Sequence, residues 1–213
     1  MSSKNLNKQT KRVPKQERSI LRFEAVVSAT LKLLGERSYE SISMREIARE
    51  ADMPIASVYQ YFPTKLAIVH EIWSRYTNQV YQHLTEDLAD VGSESDISMM
   101  INRVVDLMMS AQTEQKAYNE IWACVAAAPE LRTENLDDTL RTAELIAQAM
   151  SRISPHAPSK EELEFFHSIS LVMCESASAT IKLAMTLPDE LSQQTIIQLK
   201  RALRWMYDGA IEQ

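Results

Sequence analysis

Three observations predict an all-α chain. Only 3 glycines and 7 prolines occur in 213 residues, too few for the tight turns of a sandwich, barrel or Rossmann-type sheet. Apolar residues recur at three- and four-residue spacing, the period of one helix face. Two Ser-x-x-Glu capping boxes, Ser43/Glu46 and Ser159/Glu162, mark helix starts. No alternating strand pattern and no internal repeat is visible. With 45% hydrophobic and 24% charged residues, the composition suits one or two globular domains and argues against wholesale disorder.

About nine helices are expected. From about residue 16, Phe23, Val26/Val27, Thr30 and Leu33/Leu34 form one buried face, until Gly35 and Ser38 break the pattern. The next helix starts at Ser43. Ile42 and Ile47 occupy the positions of a hydrophobic staple, which sets the entry angle of the chain. It runs only to about Ala51, because Asp52-Met53-Pro54 interrupts it. A short helix from Ile55 to about Tyr61 ends before Pro63, and Thr64 caps a long one to about Asp87. Val91-Gly92-Ser93 closes that helix. Further helices are expected over Asp96–Gln112, Tyr118–Ala128 and Pro129–Ile153. After the loop Ser154–Ser159, one helix runs to about Leu187 and a last one from Pro188 to about Ile211.

The net charge of -6 conceals a split. Residues 1–65 hold 12 Lys/Arg against 7 Asp/Glu, a balance of +5; residues 66–213 hold 11 against 22. A basic head on an acidic body suggests that the head meets a polyanion while the body does something else. The two cysteines, Cys124 and Cys174, have no metal-ligand or redox spacing, so a reduced, cytoplasmic setting is expected. The longest apolar stretch, around Ile121–Pro129, is far short of the ~18 residues of a membrane span. No apolar core of a signal peptide stands in the first 16 residues.

Two short helices joined by a tight turn after a basic segment form a helix-turn-helix pattern. Ala48 is small where the second helix must approach the first closely. Ile47, Ala51, Met53 and Val58 supply the apolar plug, and Asp52 falls where a left-handed backbone is wanted, which Asp tolerates.

The runs Leu33–Tyr39, Ser43–Met53 and Ser57–Phe62, followed by Lys65, resemble the DNA-binding domain of TetR-family transcriptional regulators. Tyr59-x-Tyr61-Phe62 with Lys65 is the most specific part. The resemblance covers residues 16–68 well; beyond them it rests on an all-helical remainder of matching length and the stretch Ala128–Arg132. It implies a basic N-terminal arm (1–15), a three-helix helix-turn-helix domain (16–65) and a larger helical ligand-binding and dimerisation domain (66–213). Asp52 stands where the family commonly has Gly, Pro54 where it has Ser, and Ile55-Ala56 where a polar or Gly pair is usual. These departures bear on the operator sequence rather than the fold.

Double-stranded DNA is thus the expected partner of the head. Helix starts at Ser43, Pro54 and Thr64 are candidate phosphate anchors, and the basic Lys15 and Arg18 lie just ahead. The resemblance carries phosphate or groove contacts to Ser43, Arg45, Ser57, Tyr59, Tyr61 and Lys65. Gln60 can pair with adenine, and Ile55 or Ala56 can touch a thymine methyl. Phe62 reads as core, and Tyr61 as both core and phosphate contact.

The body carries no motif of an enzyme. His70, His83, His156 and His167 lack metal-ligand partners, and neither a Gly-rich phosphate loop nor a Gly-x-Ser-x-Gly elbow occurs. No cofactor and no metal is expected. By resemblance the body dimerises and binds a small molecule. Small residues between Ser168 and Thr180 allow close helix approach, so Leu171, Glu175, Ala177 and Ala179, with Leu203 and Tyr207 of the last helix, are candidate interface residues. Met108, Tyr118, Trp122, Met150 and Met173 suit an adaptable apolar pocket, with His167 or Glu175 as polar contacts; plain core is the alternative for each. Glu175, alone in an uncharged run, pairs with a partner subunit, faces solvent or meets a cationic ligand. The readings are a ligand-released dimeric repressor of a palindromic operator, a DNA-bound scaffold that oligomerises or recruits a protein, or a helical enzyme with an incidental helix-turn-helix, which a specific operator would exclude.

Overall fold

The computed structural model describes residues 17–89, 94–110, 115–154 and 156–211. Among them there is no strand. The helices are α1 (Glu17–Glu36), α2 (Met44–Glu50), α3 (Ile55–Tyr61), α4 (Lys65–Ala89), α5 (Glu94–Ser110), α6 (Gln115–Ala127), α7 (Pro129–Ile153), α8 (Lys160–Ala184) and α9 (Asp189–Ile211). A single 3-10 turn, Tyr39–Ser41, precedes α2 and was not signalled by the sequence pattern. No helix among the described residues is long and apolar enough to cross a membrane.

Both capping boxes form. Ser43 Oγ accepts from the Glu46 N–H, while the Glu46 carboxylate accepts from the Ser43 N–H at 2.9 Å. Ser159 and Glu162 repeat this at the start of α8. Thr64 caps α4 by accepting the Ala67 N–H at 3.1 Å. The last turn of α8 stops earlier than its apolar pattern suggests. Thr186 and Leu187 donate three residues back to Leu183 and Ala184, and Pro188 disfavours helical geometry in the residue before it.

The chain packs as two units. One comprises Met1–Tyr76 with Thr113–Asn135, the other Thr77–Gln112 with Leu136–Gln213. In the first, α1 lies against α2, α3 and α6. Its core is Phe23, Val26 and Leu34 of α1, Ile47 of α2, Val58 of α3, Phe62, Ile68 of α4 and Ile121 of α6. Phe23 packs on Phe62 at 4.6 Å between ring centroids. Arg75 of α4 forks onto both carboxylate oxygens of Glu24 at 2.6 Å and onto Glu71 at 2.7 Å, tying α4 to α1. Those bonds hold the Glu24 carboxyl below its ordinary pKa and raise the Arg75 guanidinium.

In the second unit α8 and α9 make the most extensive packing, with α5 against both. Met150, Phe166, Met173, Ile181, Leu199 and Leu203 are buried there. Ser170, also buried, returns its hydroxyl to the Phe166 carbonyl at 2.7 Å, so no polar group of that side chain is left unsatisfied.

Candidate nucleic-acid interface

The turn between α2 and α3 is built by a helix C-cap. The Asp52 N–H donates to the Arg49 carbonyl at 3.2 Å and the Met53 N–H to the Ala48 carbonyl at 2.9 Å, the paired bonds of a Schellman motif. That motif needs a left-handed residue, and Asp52 has φ 51°, the one positive-φ residue outside glycine among the described residues. Ala48 and Ile47 are buried against the neighbouring helices, as the spacing predicts.

This turn sets the face that α3 presents. Val58, Tyr61 and the following Phe62 point inward, while Pro54, Ala56, Tyr59 and Gln60 are exposed, Tyr59 at 49%. Ile55 and Ser57 are half-buried at the edges of that face. Pro54 is the N-cap of α3 and supplies no side-chain cap. Arg45 on α2 and Arg18 at the start of α1 are exposed alongside the exposed Arg22 and Arg49. Lys15 lies outside the described residues.

Other candidates prove to be engaged within the fold. Ser43 spends its hydroxyl on Glu46, at 2.8 Å as donor and 3.3 Å as acceptor. Tyr61 is buried edge-on to Phe23, and its hydroxyl shares a 3.0 Å hydrogen bond with Ser19. Lys65 turns inward. Its Nζ donates to the Tyr39 carbonyl and, at 2.5 Å, to the Ile42 carbonyl, and sits 3.9 Å from the Tyr39 ring centroid. Burial lowers its pKa. A cation expected to face phosphate therefore spends its donors on the loop that leads into α2.

Two residues of α6 hold the same loop, and local sequence gave no signal of it. Glu120 accepts the Tyr39 N–H at 2.7 Å, and Lys116 Nζ donates to the Glu36 carbonyl at 2.8 Å. These partners lie about eighty positions apart in the chain, beyond the reach of any helical period.

Residues 26–72 match the family model described as bacterial regulatory proteins, tetR family, and residues 95–206 match that of the tetracyclin repressor-like C-terminal domain. The chain belongs to the TetR family. Members of this family are DNA-binding transcriptional regulators, not enzymes. Within it, the chain is similar to the HTH-type transcriptional repressor KstR of Rhodococcus jostii, 35% identical over 48 residues, 22% of this chain and 23% of that protein. To KstR of Mycobacterium tuberculosis it is 24% identical over 139 residues, covering 63% of this chain and 60% of that one. The matched stretches thus span less than two thirds of these relatives. A TetR-family regulator from Streptomyces coelicolor shares the fold, with TM-score 0.62 and 23% identity over 89% of this chain and 99% of its own.

The candidate ligand residues of this TetR-family chain fall into both units. Tyr118 and Trp122 belong to the first, in an aromatic cluster with Trp73 and Tyr76; Trp73 meets Trp122 edge-on at 5.4 Å and Tyr76 meets Tyr118 at 5.5 Å. Met108, Met150 and Met173 are buried in the second unit. His167 lies in that unit at a groove of about 700 Å³ between α7 and α8, with Glu144 at 3.3 Å. Glu175 is exposed on α8.

The interface candidates divide by exposure. Ala179 faces solvent, and Leu171 and Ala177 are half-buried. Leu203 and Tyr207, at 5% and 4% exposure, pack inside their own unit. The exposed face of α9 carries Ile197, Arg201 and Trp205. Helical spacing gives the period of a face but not which of two apolar faces meets its own chain.

Proposed function

We propose that the chain is a homodimeric repressor that reads a palindromic operator with α3 and leaves it when a small, largely apolar molecule binds. The carrying observation is the outward face of α3. Ala56, Tyr59 and Gln60 are exposed on a helix anchored from beneath by Val58 and Phe62, and Arg45 and Arg49 flank it on α2. That is the arrangement in which a short helix enters a major groove while neighbouring cations meet phosphate. One such helix reads only a few base pairs, so useful specificity needs two copies.

An apolar row supports pairing of two chains. Val172, Ala179 and Leu183 recur along one exposed face of α8, and Ile197 and Trp205, the latter 77% exposed, lie on α9. Exposed apolar rows of this kind commonly mark association surfaces. Glu175 lies among them. For the ligand, the aromatic cluster is the supporting feature. Trp73 Nε1 and Tyr76 Oη are buried there without a hydrogen-bond partner, and a ligand carbonyl or ether oxygen would satisfy such donors.

Selection of bound fragments from random DNA, followed by sedimentation of the complex, tests the reading. The expected product is a palindrome with half-sites ~34–36 Å apart, or a related spacing, bound by an even number of chains. Calorimetry with and without operator then tests release, because linkage requires DNA to weaken the ligand by the same factor as the ligand weakens DNA. Monomeric specific binding would sink the dimer. Equal ligand affinity in both titrations would favour the scaffold that recruits a protein.

A further inference from the structure

The loop between α1 and α2 delivers the helix-turn-helix, and four backbone groups along it, from the end of α1 to Ile42, are held by side chains from elsewhere in the chain. At its start, Lys116 of α6 donates to the Glu36 carbonyl. In its middle, Glu120 of α6 accepts the Tyr39 N–H, and Lys65 of α4 donates to the Tyr39 carbonyl. At its end, Lys65 also donates to the Ile42 carbonyl, one residue before the N-cap Ser43. Ile42 itself is buried.

We propose that Glu120 and Lys65 are positioning residues for operator reading: they fix the Tyr39–Ile42 loop and thereby the pose of α2 and α3, and Lys65 acts through this clamp rather than by touching phosphate. The inference rests on the DNA-binding reading above. Two features separate it from a merely electrostatic role. Glu120 is an anion, so if it influenced DNA only through charge its removal would tighten binding; as the anchor of Tyr39 its removal loosens binding. Lys65 is a cation, so as a phosphate ligand its loss would lower the salt dependence of binding; as a clamp on two carbonyls its loss leaves that dependence in place. A charge-assisted hydrogen bond to a main-chain group also orders the chain better than a neutral one, so both sites add order to the loop beyond the bonds of its own 3-10 turn.

The test uses the full-length protein and an operator obtained by selection. Glu120→Ala is expected to weaken operator binding roughly tenfold, the loss of one charge-assisted hydrogen bond, while Glu120→Gln, which keeps an acceptor oxygen, retains most of the affinity. Lys65→Ala is expected to weaken operator binding more than binding to random DNA, with an unchanged slope of log affinity against log salt. Arg45→Ala serves as the comparison, its slope falling by ~0.9 for one lost phosphate contact. Amide hydrogen exchange of the unmutated protein gives a readout that needs no variant to fold: the Tyr39 N–H is expected to be protected although it lies outside the α-helices. Unchanged or tighter operator binding by Glu120→Ala, a slope lowered by ~0.9 in Lys65→Ala, or an unprotected Tyr39 amide each overturns the proposal. Failure of the unmutated protein to bind any DNA in a salt-dependent way would instead remove the DNA-binding reading on which it stands.

Discussion

Asp52→Gly is expected to stabilise the protein, and the size follows from the C-cap of α2. Asp52 sits at φ 51° because the Met53 N–H must reach back to the Ala48 carbonyl and the Asp52 N–H to the Arg49 carbonyl. A left-handed conformation costs an L-residue roughly 1–2 kcal/mol, and Asp less than most because its short side chain tolerates that region. Nothing among the described residues offsets the cost: Asp52 is exposed and its carboxylate makes no hydrogen bond or ion pair with them. Glycine removes the strain but adds freedom to the unfolded chain, a loss of ~0.4–1 kcal/mol. The balance is a gain of roughly 0.5 kcal/mol for Asp52→Gly. Asp52→Ala keeps the strain without the tolerance and is expected to lose up to ~1 kcal/mol. Urea midpoints read by circular dichroism at constant slope resolve that order. In a thermal melt, ~1 kcal/mol moves Tm by about 2–4 °C for a chain of this size. The expected rank is Gly above Asp above Ala. Alanine equal to or better than glycine would refute the left-handed C-cap.

Three further outcomes are expected. Glu46 is held at about 2 by the Ser43 hydroxyl, by Arg37 and by the Ser43 N–H, and Glu162 at about 2 by the Ser159 N–H and hydroxyl and by His156. Both carboxyls lie below the ordinary value of 4.5, so the stability they contribute is present above that pH and lost as pH falls toward 2; Glu46→Gln with Glu162→Gln should flatten the acid limb of an unfolding titration there. Ile47→Ala removes a fully buried side chain from beneath the helix-turn-helix and should cost ~2–5 kcal/mol in denaturant unfolding. Leu183→Asp, on the exposed row of α8, should leave helical content intact but lower the mass seen by sedimentation and, with it, operator affinity. A dimer of undiminished mass would place the interface elsewhere.

Much of the head is legible in the sequence. Ser43 and Glu46 satisfy each other across three residues, Pro63 ends one helix and Thr64 begins the next, and Asp52 announces a left-handed turn, all within a span that helical geometry itself fixes. The 3-10 turn over Tyr39–Ser41 left no such mark. Besides its own i to i−3 bonds, its backbone is held by side chains from α4 and α6, which no local pattern announces.

The sequence by itself thus determined the helices, their caps and the outward face of α3, because each depends on residues no more than about one helical turn or two apart. Tertiary structure alone decided where several side chains spend their chemistry. Lys65 faces two carbonyls, Tyr61 meets Ser19, Leu203 and Tyr207 lie inside their own unit, and Tyr118 and Trp122 join Trp73 and Tyr76. A lysine or tyrosine has the same helical phase whether it meets DNA or its own backbone. Which of the two it meets depends on groups brought near by packing, such as Glu120 arriving eighty-one residues after Tyr39.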